Sequence, residues 1–118
     1  MAVRPGSVVT VSLPFTDLSV INRRPALVLI VHGEDLVVCA VTSKISRRRD
    51  AVPLDQRGMA EGRLPKPSEV RPLELFTIHR ALVHTLVGRV SDKIFGRVGA
   101  LLVSALRPGE GPGASQKG

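Results

Sequence analysis

Apolar and polar residues alternate from Ser7 to Leu13, with Val9, Val11 and Leu13 on one face. That period of two predicts a half-buried strand. The turn pair Pro5-Gly6 opens it and Pro14 ends it. Phe15 to Arg24 is polar and basic and reads as a loop. Ala26–Val31 and Leu36–Val41 are unbroken apolar runs joined by His32-Gly33-Glu34-Asp35, which predicts a hairpin. Strands without alternation need cover on both faces. One face is expected to turn into a barrel core, and the other calls for a helix or a second subunit.

Lys44 to Asp50 carries Lys44, Arg47, Arg48 and Arg49, a run that belongs in a mobile, solvated loop. Ala51–Leu54 reads as a short strand and Asp55–Pro67 as a second basic loop. Ser68–Leu73 and Leu75–His79 read as strands kinked at Pro72, which favours a sheet edge. Leu82–Val90 is a further strand, bent at Gly88. Ile94, Phe95, Val98, Leu101, Leu102 and Ala105 then recur at helical spacing behind Ser91-Asp92, a cap and first-turn acid. The expected fold is mainly β with a C-terminal helix: a small SH3-like curved barrel, one domain over residues 1–106. The glycine- and proline-rich stretch 107–118 is expected to be a disordered tail.

Net charge changes the picture next. Seventeen Lys and Arg oppose ten Asp and Glu, for a formal charge of +7, and thirteen of the seventeen are arginine. Arginine forks onto phosphate, so nucleic acid or an acidic protein is the default partner. Aromatics are limited to Phe15, Phe76 and Phe95, which argues against a binder built on base stacking. Cys39 lies inside an apolar run and reads as a core thiol, consistent with a reducing compartment. No signal-peptide pattern is visible and the apolar runs of six residues are far too short for a membrane span; a cytoplasmic protein is expected.

The candidate chemistry follows from the hairpin. In an antiparallel pair the start of one strand lies beside the end of the next, so Arg24 and Thr42 should be neighbours. A guanidinium beside a hydroxyl suits a phosphodiester. Plainer roles stand beside this one. Arg24 is also an ordinary solvated strand start, and Thr42 and Ser43 are also turn hydroxyls. Arg71 has Glu69 or Glu74 within reach for a surface ion pair. His32 reads as a turn residue, His84 as a strand residue and His79 as a rim residue, and their spacing is not that of a zinc site. The Arg47–Arg49 run serves either solvation or contact with an RNA backbone.

Several segments in order resemble one family: Pro5-Gly6-Ser7-Val8-Val9, Pro14-Phe15-Thr16-Asp17, Arg23-Arg24-Pro25-Ala26-Leu27-Val28-Leu29, Val41-Thr42-Ser43, Pro67-Ser68-Glu69-Val70-Arg71-Pro72, Leu75-Phe76-Thr77-Ile78 and Val87-Gly88-Arg89-Val90. Together they are similar to the MazF/PemK/Kid toxins of type II toxin–antitoxin systems. The resemblance implies a homodimeric barrel that cleaves single-stranded RNA without a metal or other cofactor and is neutralised by an acidic antitoxin. DNA would be met only through the toxin–antitoxin complex. It makes Arg24, Thr42 and Arg71 the catalytic candidates, with Arg71 matching a family arginine that acts with an aspartate two residues later. Here that position is Leu73, and Glu74 should point to the opposite face unless Pro72 rotates it. Glu74, His79, or Arg24 with bound water are the candidates for the base. Substrate-contact candidates are Phe15, Thr16, Arg23, Ser43, Lys44, Arg47, Arg48, Arg49, Ser68, Glu74 and His79. Two other functions fit the same fold: a CcdB-like toxin that binds DNA gyrase, and an RNA-binding barrel without turnover.

Overall fold

The computed structural model describes residues 2–14 and 21–107. Seven strands and one helix occupy them: β1 (Ser7–Pro14), β2 (Ile21–His32), β3 (Asp35–Thr42), β4 (Val52–Leu54), β5 (Met59–Gly62), β6 (Ser68–His79), β7 (Val83–Val90) and α1 (Asp92–Leu106). All form one sheet in the order β4-β6-β3-β2-β1-β7-β5, with every pairing antiparallel. The sheet curls into a half-barrel and the helix packs on it, as the mainly-β expectation required. Residues 108–118, where a disordered tail is expected, lie outside the described residues.

The central hairpin follows from its turn. Gly33 has φ +62°, and His32 pairs with Asp35 across the two-residue loop Gly33-Glu34. Glycine at the first central position matches a turn whose twist suits the flanking strands. The unbroken apolar runs are covered on both faces. On one side Leu27, Cys39, Val41 and Val70 pack with Ile94 and Val98 of α1. On the other, Val9, Val11, Ala26, Val28, Leu36 and Val38 meet Ile78 and Val83 as the sheet curls round. A helix therefore supplies the cover for which a second subunit was the alternative. Ser91 Oγ accepts the Ile94 N–H and so caps α1 as expected.

Three stretches differ from the sequence reading. β2 begins at Ile21, inside the stretch read as a loop, because residues 21–24 pair with β1 down to Pro14↔Ile21. The basic stretch 55–67 holds a 3₁₀ turn at Gln56–Gly58 and strand β5, which docks on β7. That docking needs glycine on both sides, since a Cβ on Gly88 would collide with the Glu61 carbonyl and one on Gly62 with the Val87 carbonyl. The two strands expected around Pro72 are one strand, β6. It lies between β4 and β3, although β4 covers only Ser68–Val70, and Pro72 pairs with neither neighbour because the β3 register skips from Arg71 to Leu75.

Candidate active site

Arg24 and Thr42 meet as the hairpin register requires. The last printed pair of β2 and β3 at this end is Ala26↔Ala40, and two residues outward Arg24 falls opposite Thr42. Both line two adjoining cavities. The smaller, about 270 Å³, is completed by Lys44, Arg71, Glu74 and Phe76 over a floor of Val38, Ala40 and Val41. The larger, about 370 Å³, adds Ser43, Ser68, Pro65 and Lys66. Thr42 Oγ1 accepts the Lys44 N–H at 3.1 Å, the strand-end turn bond that its plainer role predicted. The hydroxyl proton is still available to a ligand.

Arg71 reaches this cavity between two carboxylates. Cys39 pairs with Leu75 and the next residue, Ala40, with Arg71, so Pro72, Leu73 and Glu74 are extra residues bulged out of β6. In a regular strand residues three apart face opposite ways. The bulge cancels that, and Arg71 Nη1 lies 3.4 Å from Glu74 Oε2. Glu74 is therefore on the Arg71 side: the regular-strand placement on the opposite face does not hold, and its alternative, a rotation at Pro72, does. Leu73 goes elsewhere, into an apolar groove with Ile30, Leu75 and Leu102.

The other carboxylate, Glu69, is 2% exposed. Arg71 Nε donates to its Oε2 at 2.9 Å, so the pair of the plainer role forms with its carboxylate buried and its guanidinium partly exposed, while the Glu74 pair stays half-exposed. Ser46 donates its N–H to Oε1 at 2.9 Å and its hydroxyl to Oε2 at 2.7 Å. Burial alone raises the Glu69 pKa. Hydrogen bonds from the Ser46 hydroxyl, the Arg71 guanidinium and the Ser46 and Arg47 backbone outweigh it and bring the value to about 2. Arg71 Nη2 also donates to the Lys44 carbonyl at 3.2 Å. The loop expected to be mobile is thus tied at its centre to β6.

The remaining candidates divide by position. Ser43 and Lys44 line the cavities. Ser68 lines the larger one, but its buried hydroxyl is committed to the Lys66 carbonyl. Arg48 bridges Asp50 at 3.1 Å and Glu74 at 3.9 Å. Arg47 and Arg49 are exposed on the same loop, Arg47 with φ +60°. Arg23 is exposed on β2 opposite Ser12 and lines neither cavity. His79 pairs with Asp35 at the far end of β6, while Thr42 pairs with Glu69. Seven residues of strand, about 23 Å, separate those two pairs. His79 Nδ1 instead accepts the Ala81 N–H and caps the turn at Arg80–Leu82, which leaves it no place in this cavity. Phe15 and Thr16 lie outside the described residues.

Sequence reasoning gave no functional role to Glu69 or Phe76, and none to Lys66 beyond counting it in a basic loop. Phe76 is 42% exposed in the cavity wall; its alternation with Glu74 was the available signal. Cys39 lies buried beneath, its thiol pushed up to about 12 by burial and then by the Glu74 charge. It is an inert core thiol as expected. Among the described residues no group of three or more His, Cys, Asp or Glu could hold a metal ion. Nor is any helix there long and apolar enough to cross a membrane.

Residues 4–106 match the family model of the PemK-like, MazF-like toxin of type II toxin–antitoxin systems. Similar solved structures agree in fold. A mycobacterial endoribonuclease in complex with its cognate antitoxin superposes with TM-score 0.71 at 18% identity, covering 89% of this chain and 95% of that one. The Mycobacterium tuberculosis toxin MazF-mt6 gives 0.67 at 19%, over 84% and 94% of the two chains. MazF in a MazE–MazF complex from Deinococcus radiodurans gives 0.70 at 19%, over 86% and 93%. No curated protein matches the chain. The matched span covers nearly all the described residues, and the chain belongs to the PemK-like, MazF-like toxin family.

Proposed function

We propose that this toxin-family chain is an endoribonuclease that cuts single-stranded RNA by attack of a 2′-hydroxyl on its own 3′-phosphate. The observation that carries the proposal is the cavity shared by Arg24, Thr42, Arg71 and Glu74. Arg24 and Arg71 grip the phosphate and offset the charge that builds on its oxygens as the pentavalent state forms. Thr42 donates its hydroxyl to one of the same oxygens. Glu74 takes the proton of the attacking 2′-hydroxyl. The new P–O2′ bond forms as the P–O5′ bond breaks, leaving a 2′,3′-cyclic phosphate and a 5′-hydroxyl. Arg71 hydrogen-bonds the departing 5′-oxygen, but a guanidinium holds its protons too tightly to give one up. Solvent supplies that proton, and Glu74 returns its own to solvent.

Side chains and solvent together supply each of these steps, so cleavage should proceed in EDTA. Lys44 and the arginines at 47–49 add sequence-independent contacts to neighbouring phosphates. The likeness to toxins solved with antitoxin supports a further part of the proposal, that an acidic antitoxin segment covers this basic groove. The proposal is completed by a homodimeric toxin that meets DNA only through that complex. Incubation of a long RNA with the protein in EDTA is the test. Discrete fragments with 5′-hydroxyl ends are expected, and a 2′-deoxy nucleotide at the cut position should abolish the cut. RNA bound but left intact, or growth arrest relieved by a resistant gyrase, would overturn the nuclease assignment.

A further inference from the structure

Glu69 takes no part in the steps above, yet it is the one buried carboxylate among the described residues. Three donors hold it: the hydroxyl and N–H of Ser46 and Nε of Arg71, all within 2.9 Å. The Arg47 backbone, at φ +60°, adds to the stabilisation of its charge. A positive φ on a residue with a side chain persists only where its surroundings fix it.

We infer that Glu69 is a positioning residue: it fixes the Arg71 guanidinium and draws the 44–50 loop onto the cavity so that both address one phosphate. This rests on the proposed RNA cleavage. Arg71 is held at three nitrogens, by Glu69 at Nε, Glu74 at Nη1 and the Lys44 carbonyl at Nη2. These contacts use three of its five N–H donors and leave two for a ligand. The Glu69 bond is the shortest of the three, and its acceptor is itself locked by Ser46. Removing it leaves Arg71 attached only through the 3.4 Å contact to half-exposed Glu74 and the 3.2 Å contact to a loop that has also lost its anchor.

The test is a cycle of Glu69→Gln and Arg71→Ala read by single-turnover RNA cleavage, together with the Arg71 Nε–H resonance. Glu69→Gln is expected to lower the cleavage rate about 100-fold, the cost of misplacing a catalytic group by an ångström. KM should change little. In the Arg71→Ala background the same substitution should slow the cut far less, since no guanidinium remains to position and only the Ser46 anchor of the loop is lost. The exchange-protected Nε–H signal of the wild type should vanish in Glu69→Gln. Equal slowing in both backgrounds, or an Nε–H signal that survives, would overturn the inference. If Glu69→Gln does not fold, Glu69→Asp and Ser46→Ala replace it in the same cycle with the same criteria. An Arg71→Ala protein that cleaves at the wild-type rate instead removes the proposed active site itself.

Discussion

Arg71 and Glu74 stand three residues apart on one strand, yet Nη1 of the first lies 3.4 Å from Oε2 of the second. A three-residue bulge at Pro72–Glu74 brings them to the same side and sends Leu73 into the apolar groove beneath α1. The base at this site is therefore sought one position further along than the family's aspartate.

Glu74→Gln should cut the cleavage rate by about 10²–10⁴-fold, the usual contribution of general acid–base catalysis. Leu73→Asp should give no gain in rate, because its side chain enters the groove lined by Ile30, Leu75 and Leu102. Steady-state rates of both variants on one RNA check this pair. A Leu73→Asp protein faster than wild type would show that the bulge does not direct these side chains as described.

Phe76 offers the cavity its one aromatic face among the described residues. A base flanking the cut phosphate can stack there. Phe76→Ala should raise KM by roughly 5- to 150-fold, equivalent to about 1–3 kcal/mol per stacked base, with kcat nearly unchanged. Titration of the cleavage rate against RNA concentration separates the two.

Much of this arrangement is legible in the sequence, for definable reasons. The two unbroken apolar runs around Gly33 fix an antiparallel pair that brings Arg24 to the strand end holding Thr42 and Ser43, and a one-residue register shift between Val28 and Ile30 sets it opposite Thr42. Ser91 followed by apolar residues at helical spacing marks α1. β5 was hidden because its four residues, Met59–Gly62, hold little apolar pattern and owe their pairing to the distant Gly88. The side on which Glu74 lies depends on a bulge whose length no local pattern encodes. Glu69 was read as a surface carboxylate because acids are almost never fully buried unless paired. Its partners, Ser46 and Arg71, come from two separate segments that only the fold brings together.

Glu69 also gives stability a pH signature. Its pKa falls from an ordinary 4.5 to about 2 on folding. A carboxylate depressed in this way stabilises the fold above its unfolded pKa, and that contribution fades as pH drops from 4.5 toward 2. Urea midpoints measured across that window should fall more for the wild type than for Glu69→Gln. Asp50 and Asp55, held low by hydrogen bonds from Arg48 and Arg57, titrate in both proteins and cancel in the comparison.

Gly88 tests the fold away from the site. A methyl group there collides with the Glu61 carbonyl, which is backbone and cannot swing aside. Gly88→Ala should cost on the order of 1–3 kcal/mol and lower the melting midpoint by about 4–12 °C. Gly96→Ala, on a helix position with open space around it, should be neutral or stabilising. Calorimetry on the two variants makes the comparison.

The most direct measurement is the single-turnover cleavage rate of Arg24→Ala, on an RNA the wild type cuts, with folding verified by circular dichroism. Losing a donor aimed at charge developing on the phosphate should slow the cut about 10²–10³-fold, or about 2.7–4 kcal/mol. A folded Arg24→Ala protein that cleaves within about threefold of wild type, well short of that loss, would contradict the account.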